Sequence, residues 1–424
     1  MIGVSEQHRL RHRIGKKSIT ILKKDGEPLA NANVSVTQKK HDFLFGCAEF
    51  SSMAYANGEL DSEKAKISKS VFDKFFQLFN FTTLPFYWET FEPNEMQIEE
   101  NRLKRTAEWF KSNDCMVKGH PLCWHSIFPS GMSELTNKQM LSVLQKRIEH
   151  LVGEFTGIID IWDVINEPVI MPAFTKNDNG LTKLCREIGR INMIRETFTA
   201  AGKANSCATL MTNDYFVIND LVKANIDSYE ILIESCLEAG IGINAIGIQS
   251  HMYQGFWGLE LTKEILERFG RFGLPLHFTE CTIISGHLIP SELMDLNDYV
   301  VSNWPSTPDG EEKQAKEAAL FYKALFEEHS VESITWWEFV DGNWLGAPSG
   351  FITKDNRVKP IYNEMYKLIK QDWWTGSNVY QTDDYGRIHI SGFYGDYEIS
   401  YKFKSGNLAL QKGNANMEER VVLC

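Results

Sequence analysis

Eight apolar runs recur along the middle of the chain, and stretches with apolar residues at helical spacing lie between them. The runs cover residues 43–49, 79–88, 116–125, 158–166, 208–215, 245–251, 276–282 and 333–340. They are rich in β-branched and aromatic residues and read as buried strands. Between them, residues 137–148 and 311–328 repeat apolar positions every three or four residues and read as amphipathic helices. Eight strands alternating with helices predict an α/β fold, a (β/α)8 barrel over residues 41–371. An open doubly wound sheet is the alternative. Such sheets usually carry a glycine-rich phosphate loop after the first strand, and the sequence has none.

The rhythm changes at the two ends. Residues 17–40 alternate apolar and polar around Lys24-Asp25-Gly26-Glu27-Pro28, a hairpin signal. Residues 379–403 alternate likewise, with turns at Asp383-Asp384-Tyr385-Gly386-Arg387 and Gly395-Asp396. Neither stretch buries a face alone. The segments 1–40 and 372–424 are therefore expected to pair as one small antiparallel β module beside the barrel.

Two strand candidates end in a glutamate, one at Glu167 and one at Glu280. A carboxylate at the C-terminal end of a barrel strand points into the face where catalytic groups collect. Two of them on different strands supply what glycosidic bond cleavage needs, an acid for the leaving oxygen and a second group to attack or to activate water. Helix capping or pairing with arginines is the structural alternative.

Composition narrows the partners. The 424 residues are 43% hydrophobic and 24% charged, enough for a large core. A net charge of -12 speaks against nucleic acid and anionic membrane surfaces as partners and suits a neutral polysaccharide. Cys47, Cys115, Cys123, Cys185, Cys207, Cys236, Cys281 and Cys424 are scattered, with no CxxC pair. Such usage fits a reducing compartment. The basic, polar stretch 1–18 lacks the apolar region of a signal peptide, so a cytoplasmic location is expected, with secretion the alternative if a signal has been trimmed away. No apolar run is long enough to span a bilayer.

Six motifs now fall in order: Gly119-His120-Pro121-Leu122-Cys123-Trp124-His125, WDVINEP at 162–168, Asn213-Asp214-Tyr215, Gly247-Ile248-Gln249-Ser250-His251, HFTE at 277–280, and Trp336-Trp337 followed by Asp341–Leu345. Over residues 43–370 the chain resembles glycoside hydrolase family 10, the retaining β-1,4-xylanases. The resemblance implies cleavage of xylan or xylo-oligosaccharides by double displacement, with no metal and no cofactor. It implies Glu167 as acid/base and Glu280 as nucleophile. Asn166 would bind the 2-hydroxyl of the sugar at the cleavage point, and His251 would contact the nucleophile. His120 and Trp124 match the floor of the sugar site, and Trp337 and Trp344 match its aromatic platforms. Gln249, Tyr215 and Trp88 fall at further sugar-binding positions. His125 is as readily a core residue.

Two departures from the family pattern bear on substrate. The family's Glu-Asn-Glu-Met-Lys-Trp run is replaced by Leu84-Pro85-Phe86-Tyr87-Trp88-Glu89, which removes three polar contacts to the second glycone sugar. The replacement is expected to present an apolar surface there, with Tyr87, Glu89 or Glu92 as substitutes. The acidic residue two positions beyond the nucleophile is Thr282, which alters the support of His251. These changes leave two further readings open. One is a related β-glycosidase for another or a short decorated β-glycan. The other is a carbohydrate-binding protein with reduced catalysis.

Overall fold

The computed structural model describes residues 8–424 apart from 92–95, 133, 174, 175, 177, 216–221, 294 and 416. The chain divides into two compact units, one of Met1–Leu44 with Asn363–Cys424 and one of Phe45–Tyr362.

In the first unit, β1 (Ile14–Leu22) and β2 (Asn33–His41) lie in different sheets. The expected hairpin is therefore absent. Lys23 to Glu27 do form a tight turn, with Gly26 at φ +87°. Beyond it only Leu22 and Pro28 bridge before the chain crosses to the second sheet. Pro28 has no amide to extend a ladder.

The second unit is a closed barrel. Its strands are β3 (Leu44–Ala48), β4 (Phe81–Pro85), β5 (Met116–His120), β6 (Ile161–Asn166), β7 (Thr209–Tyr215), β8 (Ala245–Met252), β9 (Leu276–Ile283) and β10 (Val331–Trp337). They pair in chain order and β10 closes on β3; the seven pairings between successive strands from β3 to β10 are parallel. All eight expected runs overlap a strand, and the fold class is the expected one. Several runs overshoot. β5 stops at His120 because Pro121 follows with no N–H to donate.

The helices between the strands are well terminated. Thr136 opens Asn137–Glu154 with a capping box to Gln139. Thr307 caps Pro308–Phe326, whose proline sits at the tolerated first position. Close strand approach shows at Gly119, where a Cβ would lie 2.1 Å from the ring of Trp162. That ring is buried edge-on to Phe86, 4.9 Å between centroids. Among the described residues no helix is long and apolar enough to cross a membrane.

After the barrel, β11 (Asn378–Gln381), β12 (Arg387–Phe393), β13 (Gly395–Tyr401), β14 (Lys404–Leu410) and β15 (Glu418–Val422) return to the first unit. One sheet runs β12-β1-β15 and the other β11-β2-β13-β14. Pairings are antiparallel except β15, which runs parallel to β1. The buried face joins Ile19 and Ile21 to Val34, Val36, Ile388, Ile390, Ile399 and Leu410. Segments from both ends of the sequence thus share one core.

Candidate active site

Glu167 follows β6 directly and Glu280 lies within β9. Asn166 pairs in register with Asn213 on β7, and Gln249 on β8 pairs with Glu280. These registers bring four polar side chains to one level of the barrel mouth. The amide of Asn213 donates to Asn166 Oδ1 at 2.9 Å and to Glu280 Oε1 at 2.8 Å. The amide of Gln249 donates to Asn166 Oδ1 at 3.0 Å and reaches Glu167 Oε1 at 3.4 Å. One amide network therefore links both carboxyl groups.

The two glutamates are the same residue type in opposed surroundings. Burial pushes Glu167 up to about 8, and the charges of Asp214 and Glu280 add to it, while the Trp124 indole donating at 2.9 Å works against the rise. Burial also raises Glu280, but His120, His251 and Lys118 outweigh it and hold that carboxyl below its ordinary value. His251 Nε2 stands 3.0 Å from Glu280 Oε2, and His120 Nε2 stands 3.9 Å from Oε1. The pair is poised as one protonated and one ionised carboxyl, the division of roles that acid and nucleophile require.

A cavity of about 290 Å³ opens over this network. Glu167, Glu280, Asn166, His120, Trp124, Gln249, His251, Tyr215, Trp337 and Trp344 all line it. The Trp344 ring lies 4.4 Å from that of His251, tilted by 32°. Tyr87 joins the wall, 5.8 Å from the Trp124 ring and 6.0 Å from His120.

Three expectations are corrected. Trp88 does not reach the cavity. It is 4% exposed and packs against Phe128, with the Arg147 guanidinium 5.2 Å from its ring. Leu84 and Phe86 are fully buried, so they offer no apolar surface to a sugar. Their side chains face the core of the barrel wall, and Tyr87 is the residue of that run that reaches the cavity. Thr282 supports His251 where a carboxylate was expected to be missed. Its hydroxyl donates to the Trp337 carbonyl at 3.0 Å and lies 3.2 Å from His251 Nδ1. Of the proposed substitutes, Glu89 is exposed and Glu92 lies outside the described residues. His125 is buried, and burial pulls it down to about 4.

Sequence reasoning missed the layer beneath. Asp163 is fully buried, with Lys118 Nζ 2.6 Å and His120 Nδ1 2.7 Å from its Oδ2. It fixes the His120 ring with Nε2 toward Glu280. Burial opposes its charge, but Lys118 and His120 hold Asp163 below its ordinary value. The signal was present: a lysine in β5 and an aspartate in the neighbouring β6, each inside an apolar run, need one another. Glu49 and Glu338, buried just past the ends of β3 and β10, were also missed. Burial raises both, and Asn343 donates to Glu49.

Comparison with known proteins fits this geometry. Residues 47–368 match the family described as Glycosyl hydrolase family 10. The chain belongs to glycosyl hydrolase family 10. It is 27% identical over 297 residues to endo-1,4-beta-xylanase B of Thermotoga neapolitana, covering 67% of this chain and 78% of that protein. It is 24% identical over 386 residues to the anti-sigma-I factor RsgI6 of Acetivibrio thermocellus, covering 90% of this chain and 44% of that protein. Native xylanase 10B from Thermotoga maritima shares the fold with a TM-score of 0.61 at 22% identity, covering 78% of this chain and 96% of that one.

Proposed function

We propose that this family 10 chain is a retaining endo-1,4-β-xylanase, with Glu167 as acid/base and Glu280 as nucleophile. The observation that carries the reading is the opposed tuning of two carboxyl groups joined by one amide network. In the first step Glu280 attacks the anomeric carbon while Glu167 gives its proton to the leaving glycosidic oxygen. A glycosyl-enzyme forms and the aglycone departs. In the second step Glu167, now ionised, takes a proton from water. That water displaces Glu280 and restores the starting state. Asn166 keeps its Nδ2 at a long 3.4 Å from Glu167 Oε1, which leaves this donor for the sugar 2-hydroxyl. His120 and His251 hold Glu280 ionised, and Trp337 and Trp344 form an aromatic wall of the cavity where a pyranose would sit.

Glu167→Ala tests the assignment. It should lose most activity on xylan and keep part of it on aryl glycosides with good leaving groups, which need little acid. Azide should rescue it with β-configured product. Proton NMR of the unsubstituted enzyme should show the β anomer first, and an α anomer would overturn retention. A second reading is sugar binding with reduced catalysis. Turnover of an aryl β-xylobioside at an ordinary enzymatic rate would set it aside.

A further inference from the structure

Asp214, the last residue but one of β7, lies beneath the turn that carries Glu167, and the reaction just described gives it no part. It is 3% exposed. Its Oδ2 accepts the amide of Val169 at 3.0 Å and its Oδ1 the amide of Tyr215 at 2.9 Å. The Val169 carbonyl is held in turn by Arg190 Nε at 2.8 Å. Glu167, two residues earlier, has φ +53°, a left-handed backbone that a glutamate adopts at a cost of roughly 1–2 kcal/mol. Its own amide donates to the Asn213 carbonyl at 2.7 Å. The strained turn is thus gripped by consecutive residues of β7, at Asn213 and at Asp214.

We propose that Asp214 is a positioning residue for the acid/base, fixing the Glu167 turn through Val169 and setting, through its own charge, the pH range over which Glu167 keeps its proton. The inference rests on the assignment of Glu167 as acid/base.

The charged and titratable groups around the pair come from five directions. Arg190 approaches Asp214 from the helix Arg190–Ala204. Tyr229 approaches it from the helix Val222–Glu238, and Tyr215 is its neighbour on β7. Around Glu167 stand Glu280 from β9 and the rings of Tyr87 and Tyr215, with neutral donors from Trp124 and Gln249. Among these, Arg190 is the cation that acts on Asp214. Burial pushes Asp214 up to about 7, against the Val169 and Tyr215 amides and Arg190. Once Asp214 is ionised, its charge makes the proton on Glu167 harder to lose. The two groups titrate as a coupled pair, and the later step governs the basic limb of activity.

The test is the pH dependence of kcat/KM for an aryl β-xylobioside. Asp214→Asn should move the basic limb to lower pH by about one unit, the scale of a nearby like charge. Its KM should change less than its kcat. A uniform loss of rate with the limb in place would mean that Asp214 is only structural, and the inference would fall. Where Asp214→Asn does not fold, carboxyl ¹³C NMR of the full-length enzyme decides instead. The Asp214 resonance should titrate in two steps, with the upper one absent in Glu167→Gln. A single step unchanged by that substitution would overturn the inference. If Glu167→Ala kept its activity on xylan, the acid/base assignment itself would fail, an outcome distinct from a limb that stays in place.

Discussion

At Glu167 and Glu280 one residue type meets opposite surroundings, and the consequences extend to stability. Glu167 holds its proton in the folded state up to about 8, whereas its ordinary value is 4.5. Between those values the folded chain binds more protons than the unfolded one, so this group's contribution is full below 4.5 and is lost as pH rises through 8. Glu167→Gln should therefore raise Tm at pH 8 to 9 and leave it unchanged near pH 4, read by calorimetry across pH. Glu280 runs the other way. Its folded value lies below the ordinary 4.5, so its contribution is present above that value and lost as pH falls. Glu280→Gln should lower Tm at neutral pH. The deeper pair, Lys118 with Asp163, is fully buried. Lys118→Met removes the ammonium that pairs with the buried Asp163 carboxylate, leaving its contact with His120, and should cost about 3–5 kcal/mol in urea unfolding. A loss under about 1 kcal/mol would mean that Asp163 takes up a proton instead.

At the scale of strands, register does what the site needs. Gly119 on β5 lies against the Trp162 ring of β6, and that ring is edge-on to Phe86 and Phe155. Gly119→Ala would force a buried ring to move and should cost about 1–3 kcal/mol, measured by chemical denaturation. His120, the next residue, should then misplace its contact with Asp163, so kcat should fall along with stability. The strands themselves were legible because a barrel strand buried on both faces reads as a continuous apolar run. The glutamates were legible because they stand at the polar ends of two such runs. Trp88 was misread because a tryptophan near a sugar-site motif looks the same in sequence whether it faces the cavity or the core. Leu84 and Phe86 were misread for the reverse reason. Absence of polar groups from a motif does not say which side chain turns inward, and Tyr87 does so here. The hairpin around Gly26 was misread because alternation shows which face a strand buries and not which strand it pairs with.

At the scale of the whole molecule, the first unit draws its core from both ends of the chain. Removing the residues after Trp374 strips β1 and β2 of β11 to β15 and exposes Ile19, Ile21, Val34 and Val36. Such a truncation should aggregate or unfold earlier than the full chain, while the fraction that stays folded keeps its pH profile. The barrel unit carries a separate consequence for substrate. The three polar groups that family members use on the second glycone sugar are missing from the β4 end, and Tyr87 is the group of that run that lines the cavity. A tyrosine offers one ring face and one hydroxyl in place of three polar side chains. At about 1 kcal/mol for each hydrogen bond lost, the second sugar should bind weakly and contribute little to the transition state. The comparison to make is kcat/KM for an aryl xylobioside against the aryl xyloside with the same leaving group. The second sugar should improve it well short of 10³-fold, the equivalent of roughly 4 kcal/mol. A gain of that size would mean that Tyr87, together with groups such as Glu49 and Glu338 past the ends of β3 and β10, has rebuilt the subsite. Substitution of those residues should then remove the gain without altering turnover of the xyloside.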